Sequence, residues 1–377
     1  MKVLTVMPGL TPDAGAERSL FAMAPGLIKS GIDLHVAVLT HRQTLVPELA
    51  AMGATIHDLS SSSSFVSRIR ALRRTLHAVG PDLVHATLFE ASQVVLLSSL
   101  KSRIPVLITW ANTDYTPESA KGVRFGWMKF GILRWWEIAL SQLARPRYHA
   151  VTQGVAFYNG NRLKVPGDRI KVGERGRDAA ALRAAGGDRI ATRARLGVDP
   201  EVRLVISVGR QDYQKAHSAL VAAYDQYADA HPADRLIIVG RRGTGSVELE
   251  AAISAMRNPD VVTVLGHRDD VPALVAAADV AVCSSLKEGA AGSLIEAMAL
   301  GTPIVSVPLI GLKDVLIDGK NARVAPLLDL ATILEELFND PMQVQRLTAA
   351  ARSDAEGRFS IDGSAKRLGE IFEWAVQ

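Results

Sequence analysis

Two doubly wound α/β domains are the architecture this sequence predicts, and three observations carry the prediction. Short apolar runs of four to seven residues alternate with segments of helical spacing; the alternation breaks once; it then restarts for the second half of the chain. Runs that short suit a parallel sheet covered by helices on both faces. The 377 residues are enough for two domains of the usual ~100–200 residues, each with a sizeable core.

In chain order, Lys2–Met7 (KVLTVM) reads as a buried strand ended by Pro8-Gly9. Ala16–Lys29 has helical spacing and stops before Gly31, and Asp33–Leu39 (DLHVAVL) is the next strand. Phe65–Val79 is an amphipathic basic helix closed by Gly80-Pro81, and Leu83–Ala86 and Pro105–Thr109 are further strands. The second series is Arg203–Val208, Arg235–Val239, Val261–Leu265, Val280–Cys283 and Pro303–Val307. Between the series, residues 175–200 hold Gly, Asp and Arg and no strand, so the boundary is placed there. This gives an N-terminal domain over 1–180 and a C-terminal domain over 200–360. An amphipathic helix over 361–377 is expected to pack back on the first domain.

The composition, 48% hydrophobic and 22% charged with 30 Gly and 17 Pro, excludes disordered, collagen-like and disulfide-scaffold chains. The single cysteine, Cys283, excludes an internal disulfide and a thiolate cluster; in the run ADVAVCSS it reads as a small buried hydrophobe. No apolar run reaches the ~18 residues of a membrane span, and the start, MKVLTVMPG, turns too early for a signal peptide. A cytoplasmic protein is expected. The net charge of +4 hides an asymmetry: residues 1–185 carry 23 basic and 13 acidic side chains, the remainder 20 and 26. A basic first half suggests an anionic partner. Nucleic acid is set aside, because no recognition motif accompanies the charge.

Ligands of open parallel sheets sit at the carboxyl ends of the strands, so the loops after strands are where chemistry belongs. The stretch Ser284–Val305 (SSLKEGAAGSLIEAMALGTPIV) has a glycine-bearing turn leading into a helix from about Ser293 to Leu300. Its unpaired N–H groups suit phosphate. Glu288 and Glu296 are carboxylates able to accept hydrogen bonds from vicinal hydroxyls, although Ser293-x-x-Glu296 also reads as a capping box that would occupy both residues structurally. Ser207–His217 (SVGRQDYQKAH) places Gly209, Arg210 and Lys215 at a strand mouth, two cations suited to a diphosphate or to an ordinary solvated loop. After the first strand, Gly15-Ala16 opens a helix without either the GxGxxG or the P-loop pattern, so dinucleotide and triphosphate binding lose their usual signal. Neither Asp-x-Asp nor His-Glu-x-x-His occurs.

These segments resemble glycosyltransferase family 4, the retaining enzymes of GT-B architecture, with two Rossmann-like domains and an interdomain cleft. The resemblance is carried by EGAAGSLIEAMALGTPIV, with seven residues between Glu288 and Glu296, by SVGRQDYQK, by IIVG ending at Gly240, by LGHRDDVPALVAAADVAVCSS and by GAERSL. It implies that Arg210 and Lys215 grip the diphosphate and that Glu296 holds the ribose hydroxyls. Glu288 would contact the donor sugar, helped by the backbone of Gly289, Ala290 and Ala291, with Leu294 and Gly209 in the donor site. His267 and Arg268 would flank the base, and Gly15 and Ala16 would meet the diphosphate from the other domain. It further implies a nucleotide-sugar co-substrate, no metal or other cofactor, retained anomeric configuration, and a UDP-sugar by family frequency.

The sequence departs from the family in two places. PVLITWANTDY has Trp110, Asn112 and Asp114 where many relatives place a histidine, leaving His85 or Asp114 to orient the acceptor. The family's Pro-Asn-Gly segment is replaced by Glu174-Arg175-Gly176-Arg177-Asp178. Residues 110–136 hold four of the five tryptophans interleaved with Lys121, Arg124, Lys129 and Arg134, and Arg68, Arg70, Arg73 and Arg74 form a second basic cluster. Phe125, Met128, Ile132, Trp135 and Ala139 share one helical stripe; this is either an interfacial helix on an anionic membrane or a core helix with a basic edge. The expectation is a glycosyltransferase acting on a glycan or lipid-linked acceptor, peripheral on the membrane's inner face. A nucleotide-sugar hydrolase or phosphorylase and a silent subunit are the alternatives.

Overall fold

The computed structural model describes every residue except 13, 14, 101, 115 and 117–125, and the side chains of 126 and 127. The chain forms two compact units, Met1–Gly176 with Ile361–Gln377, and Arg177–Ser360.

The first unit is built on β1 (Lys2–Met7), β2 (Asp33–Val38), β3 (Thr55–Asp58), β4 (Leu83–Thr87), β5 (Val106–Trp110), β6 (Arg147–Ala150) and β7 (Ile170–Val172). They pair in parallel in the order β3-β2-β1-β4-β5-β6-β7. The second is built on β8 (Leu204–Val208), β9 (Arg235–Val239), β10 (Val262–Gly266), β11 (Val280–Cys283), β12 (Ile304–Ser306) and β13 (Arg323–Val324). These are again parallel, in the order β10-β9-β8-β11-β12-β13. Each sheet therefore reverses its winding once, between β1 and β4 and between β8 and β11, and the carboxyl ends of those strands frame the crevice where open sheets bind ligands.

The strands without an advance sequence signal are β3 (TIHD), β6 (RYHA), β7 and β13. They are short, and the first two carry polar residues that break the apolar run. Within β6, Tyr148 and His149 are nevertheless buried, the first stacked on Trp110 and the second hydrogen-bonded to Thr109.

The expected boundary segment also differs. Residues 179–186 and 189–195 are helices, started by the side chains of Asp178 (accepting from Ala181 N, 2.9 Å) and Asp188 (accepting from Ile190 N, 2.8 Å). They pack in the second unit on helices 271–277 and 292–300. The chain passes between the units at Gly176-Arg177, at the start of that segment, and returns at Ser360-Ile361; Arg177 N donates to Phe359 O at 2.9 Å. The last helix, Ile361–Val376, places Leu368, Ile371 and Phe372 in the core of the first unit with Leu20, Met23 and Leu27. Burial of side chains this size stabilises by ~1.5–3 kcal/mol each.

Candidate active site in the second unit

The two loops flanking the second switch point bring a largely buried ion pair together. The loop after β8 ends in a 3₁₀ turn, Tyr213–Lys215, and the loop after β11 runs from Ser284 to Ala291. Leu286 N donates to Gln214 O at 2.8 Å, which ties one loop to the other. Lys215 Nζ donates to Glu288 Oε1 at 2.5 Å, and Ser285 Oγ donates to the same oxygen at 2.7 Å. Glu288 is 7% exposed. Burial pulls the Lys215 ammonium down, but Glu288 and Cys283 outweigh it and its pKa lies above the ordinary lysine value. Next to it, burial and then Lys215 push His217 down to about 4, so this imidazole is neutral at pH 7. Its Nδ1 has no hydrogen-bond partner among the described residues. Beneath the pair lies a cavity of about 20 Å³ lined by Lys215, His217, Cys283, Ser285, Glu288 and Leu294. That is room for about one water.

Glu296 lies in helix Gly292–Leu300 and is 7% exposed. The capping-box alternative does not hold: the N-cap is Ala291, in a left-handed conformation, with no side-chain cap. Glu296 Oε1 instead accepts from Arg177 Nε at 2.8 Å, with both side chains largely buried. A buried carboxylate needs such a counter-charge, since removing one partner of a buried pair costs ~3–5 kcal/mol. Non-glycine residues with left-handed φ recur in the loops beside the switch points: Leu88 (74°), Ala216 (49°) and Ala291 (38°). Each costs on the order of 1–3 kcal/mol and such strain clusters at ligand sites.

The remaining donor-side candidates separate. Gly209 and Gly240 meet backbone to backbone: Gly240 has φ 153°, and a Cβ there would lie 1.9 Å from Gly209 O. Gly289 and Ala290 follow Glu288 in the same loop, and Leu294 lines the cavity. Arg210 is half exposed and pairs with Asp212 at 2.9 Å. His267 is 62% exposed beside Asp269. Arg268 is held by Asp270 at 2.7 and 2.8 Å and lines a different recess, with Thr192, Arg195 and Arg235. The structure does not bring His267 and Arg268 to the Lys215–Glu288 pair.

In the first unit, Gly15 and Ala16 open helix Gly15–Lys29, and among the described residues no atom lies within 4 Å of a Cβ placed on Gly15. The buried carboxylate of Glu17 accepts from Thr11 N and Thr11 Oγ1 at 2.5 and 2.9 Å. His85 requires correction. It lies within β4 rather than after it and is 3% exposed. Thr5 Oγ1 is 3.2 Å from its Nδ1 and Thr109 Oγ1 is 2.7 Å from its Nε2, so neither ring nitrogen is open to a substrate. The bonding continues to His149 Nδ1 (3.0 Å), whose Nε2 reaches Gly173 O at 2.7 Å. That carbonyl only accepts, which assigns protons to Nε2 of both rings and makes each Nδ1 an acceptor. Burial, then His149 and Arg175, push His85 down to about 3; burial is also the main cause that brings His149 to about 4.

Trp110 is likewise a core residue, 3% exposed and stacked on Tyr148 at 4.2 Å. The loop beyond it is pinned by Asn159, which donates to Asn112 O and accepts from Asp114 N, both at 2.9 Å. Ser285 and His217 lie inside the quoted loop segments and Arg177 in the departure at 174–178, while no sequence signal marked Asn159.

Of the aromatic segment, Lys121, Arg124 and Phe125 lie outside the described residues, as does the side chain of Trp127. On helix Gly126–Ala144 the stripe faces outward: Met128, Ile132 and Trp135 are 48%, 65% and 54% exposed, with Trp136 at 48%. Arg134 and Lys164 stand over the Trp135 ring. In the other cluster, Arg68 pairs with Glu90, and Arg73 donates to Leu97 O at 2.9 Å and bonds Ser98 O, so these two hold helix to helix. Among the described residues no helix is long and apolar enough to cross a membrane, and no group of three or more His, Cys, Asp or Glu is placed to hold a metal.

Residues 14–181 match the family model for Glycosyltransferase Family 4, and residues 188–354 the model for Glycosyl transferases group 1. A similar curated protein is the D-inositol 3-phosphate glycosyltransferase of Rhodococcus opacus, 31% identical over 225 residues, which cover 55% of this chain and 49% of the relative. The glycogen synthase of Mycobacterium tuberculosis is 27% identical over 299 residues, 78% of this chain and 68% of that one. The chain spans about half the length of the first curated relatives it matches. Among solved structures, Anabaena HepE in complex with UDP and glucose aligns with a TM-score of 0.81 at 21% identity, over 99% of this chain and 100% of that one, a likeness of fold. Matched along both of its units, the chain belongs to the group 1, family 4 glycosyltransferases.

Proposed function

We propose that the chain transfers a sugar from a nucleoside-diphosphate sugar, a UDP-sugar by default, to a hydroxyl of a lipid-linked or polysaccharide acceptor, with retention of anomeric configuration and without a metal. The observation that carries the reading is the Glu288 carboxylate held between Lys215 and Ser285 at the switch point of the second sheet. As the sugar–phosphate bond breaks, negative charge grows on the leaving diphosphate. Lys215, Arg210 and the backbone N–H groups of Gly289 to Ala291 are the groups assigned to stabilise it. Glu288 holds a sugar hydroxyl and Glu296 the ribose diol. The acceptor hydroxyl attacks from the face the diphosphate leaves. Solved structures of similar fold contain UDP and UDP-glucose, which supports this donor class. The outward Met128–Ile132–Trp135 stripe with Arg134 and Lys164 supports contact with an anionic membrane carrying the acceptor.

A thermal-shift panel of nucleoside diphosphates and their sugars, in chelator and then in magnesium, tests the donor assignment. Binding at 100 times Kd adds ~2.7 kcal/mol of stability. The expected result is a shift with one base, present in chelator and lost in Glu296→Ala. The absence of any shift would remove the reading, and the anomeric configuration of the product, read by NMR, tests retention.

A further inference from the structure

Arg177 is a cation placed where general physics disfavours one. Its guanidinium lies against the amino end of helix Gly292–Leu300, the positive end of that helix's dipole. A Cβ added to Gly292 would sit 2.0 Å from Arg177 Nη2, so only a glycine at that position leaves the guanidinium its course. Its Nε is spent on Glu296 Oε1 at 2.8 Å, and both side chains are about nine-tenths buried. Its backbone is fixed as well, pairing with Ser360 in an isolated bridge and donating to Phe359 O. A residue clamped at its backbone and its side chain, against the dipole, is a costly way to neutralise one carboxylate. The cost is understandable if the direction of that carboxylate matters.

We propose that Arg177 is a positioning residue of the donor site: it fixes the plane of the Glu296 carboxylate so that Glu296 can read the ribose diol of the donor nucleotide. The inference builds on the assignment of Glu296 to the ribose under the proposed function. With Oε1 held by a planar N–H donor, the terminal torsion of Glu296 is fixed and the carboxylate presents one edge to every ligand. Arg177 thereby affects discrimination between ribose and deoxyribose and leaves the diphosphate contacts of Lys215 and Arg210 alone.

The experiment is calorimetric titration of UDP, ADP and GDP, each beside its 2′-deoxy counterpart, into the unaltered chain and five variants. Gly292→Ala is the gentlest variant, because the atom it displaces is the tip of a flexible side chain and alanine favours the helix. The unaltered chain should prefer one ribonucleotide about tenfold over its deoxy form, the value of one charge-assisted hydrogen bond. In Gly292→Ala and Arg177→Ala that ratio should fall to between one and three, and Arg177→Lys should restore part of it. Glu296→Gln should abolish it, and adding Arg177→Ala to Glu296→Gln should change nothing further; this pair also avoids a stranded buried charge. If Gly292→Ala and Arg177→Ala keep the tenfold ratio while only melting temperature falls, Arg177 is a brace and the inference is overturned. A further loss in the double variant would overturn action through Glu296. If the unaltered chain binds none of the three nucleotides, or shows no ribose preference, the assignment of Glu296 itself fails, which is a separate result.

Discussion

Both units are parallel sheets that reverse their winding once, yet apart from the Glu17 carboxylate, which Thr11 satisfies, they differ in the polar groups they bury beside the switch point. In the first, Thr5, His85, Thr109, His149 and the Gly173 carbonyl form a neutral relay in which each donor finds one acceptor. In the second, the polar groups are charges: Lys215 with Glu288 and Arg177 with Glu296. Neutral relays cost little to bury when fully satisfied. Buried ion pairs repay their desolvation poorly, and an apolar replacement is often as stable. The difference teaches where to look for chemistry: an arrangement that serves stability alone has no need of buried charges, so the charged loops of the second unit are where the proposed donor chemistry is sought.

The largest expected effect separates the units most sharply. Lys215→Ala should lower turnover, measured as nucleoside diphosphate released from the donor, by ~10²–10³-fold, the usual value of one preorganised charge at a leaving group. Lys215→Arg should keep part of that rate, and unchanged turnover in Lys215→Ala would end the assignment.

Acid should then strike the neutral relay. His85 and His149 titrate near 3 and 4 in the folded chain and near 6.5 when unfolded. Below pH ~6.5 the unfolded chain therefore binds more protons than the folded one, so stability is full above that pH and is lost as pH falls toward 4. From pH 8 to 5.5 each histidine removes ~1.4 kcal/mol, about 3 kcal/mol for the two. Denaturant melts at the two pH values measure this, and replacement of both histidines should remove that share of the profile, leaving the contribution of His217, which burial also pushes down to about 4.

A smaller effect sharpens the contrast. Thr109→Val strands one nitrogen of each histidine and should cost ~1–3 kcal/mol of stability, while nucleotide affinity by calorimetry stays unchanged. Smallest is the surface of the first unit. Lys164→Gln should reduce partition onto anionic vesicles by about fivefold, ~1 kcal/mol for one basic side chain at the interface, and leave neutral vesicles unaffected.

Much of this organisation is legible in the sequence, and the rest is hidden for physical reasons. The strands that bury both faces, such as KVLTVM and RLIIV, announce themselves as apolar runs, whereas RYHA does not, because its burial depends on partners distant in sequence. Glu288 and Lys215 are found by motif, but no spacing rule reveals that one donates to the other, or that Ser285 completes the contact. His85 looks catalytic in sequence because a histidine near a strand end fits many roles; only the threonines of β1 and β5 reveal a structural one. Ser293-x-x-Glu296 fits a capping box until Arg177, 119 residues away from Glu296, is seen to occupy the carboxylate.

The most direct test of the central claim, that donor chemistry belongs to the charged loops of the second unit, is amide hydrogen exchange with and without saturating UDP, or ADP or GDP if the panel selects one of those. The account predicts slowed exchange across residues 207–217 and 284–297, centred on Lys215 and Glu288, with the buried relay of the first unit unaffected. Slowed exchange confined to residues 83–88 and 106–114, with the loops after β8 and β11 unchanged, would contradict it.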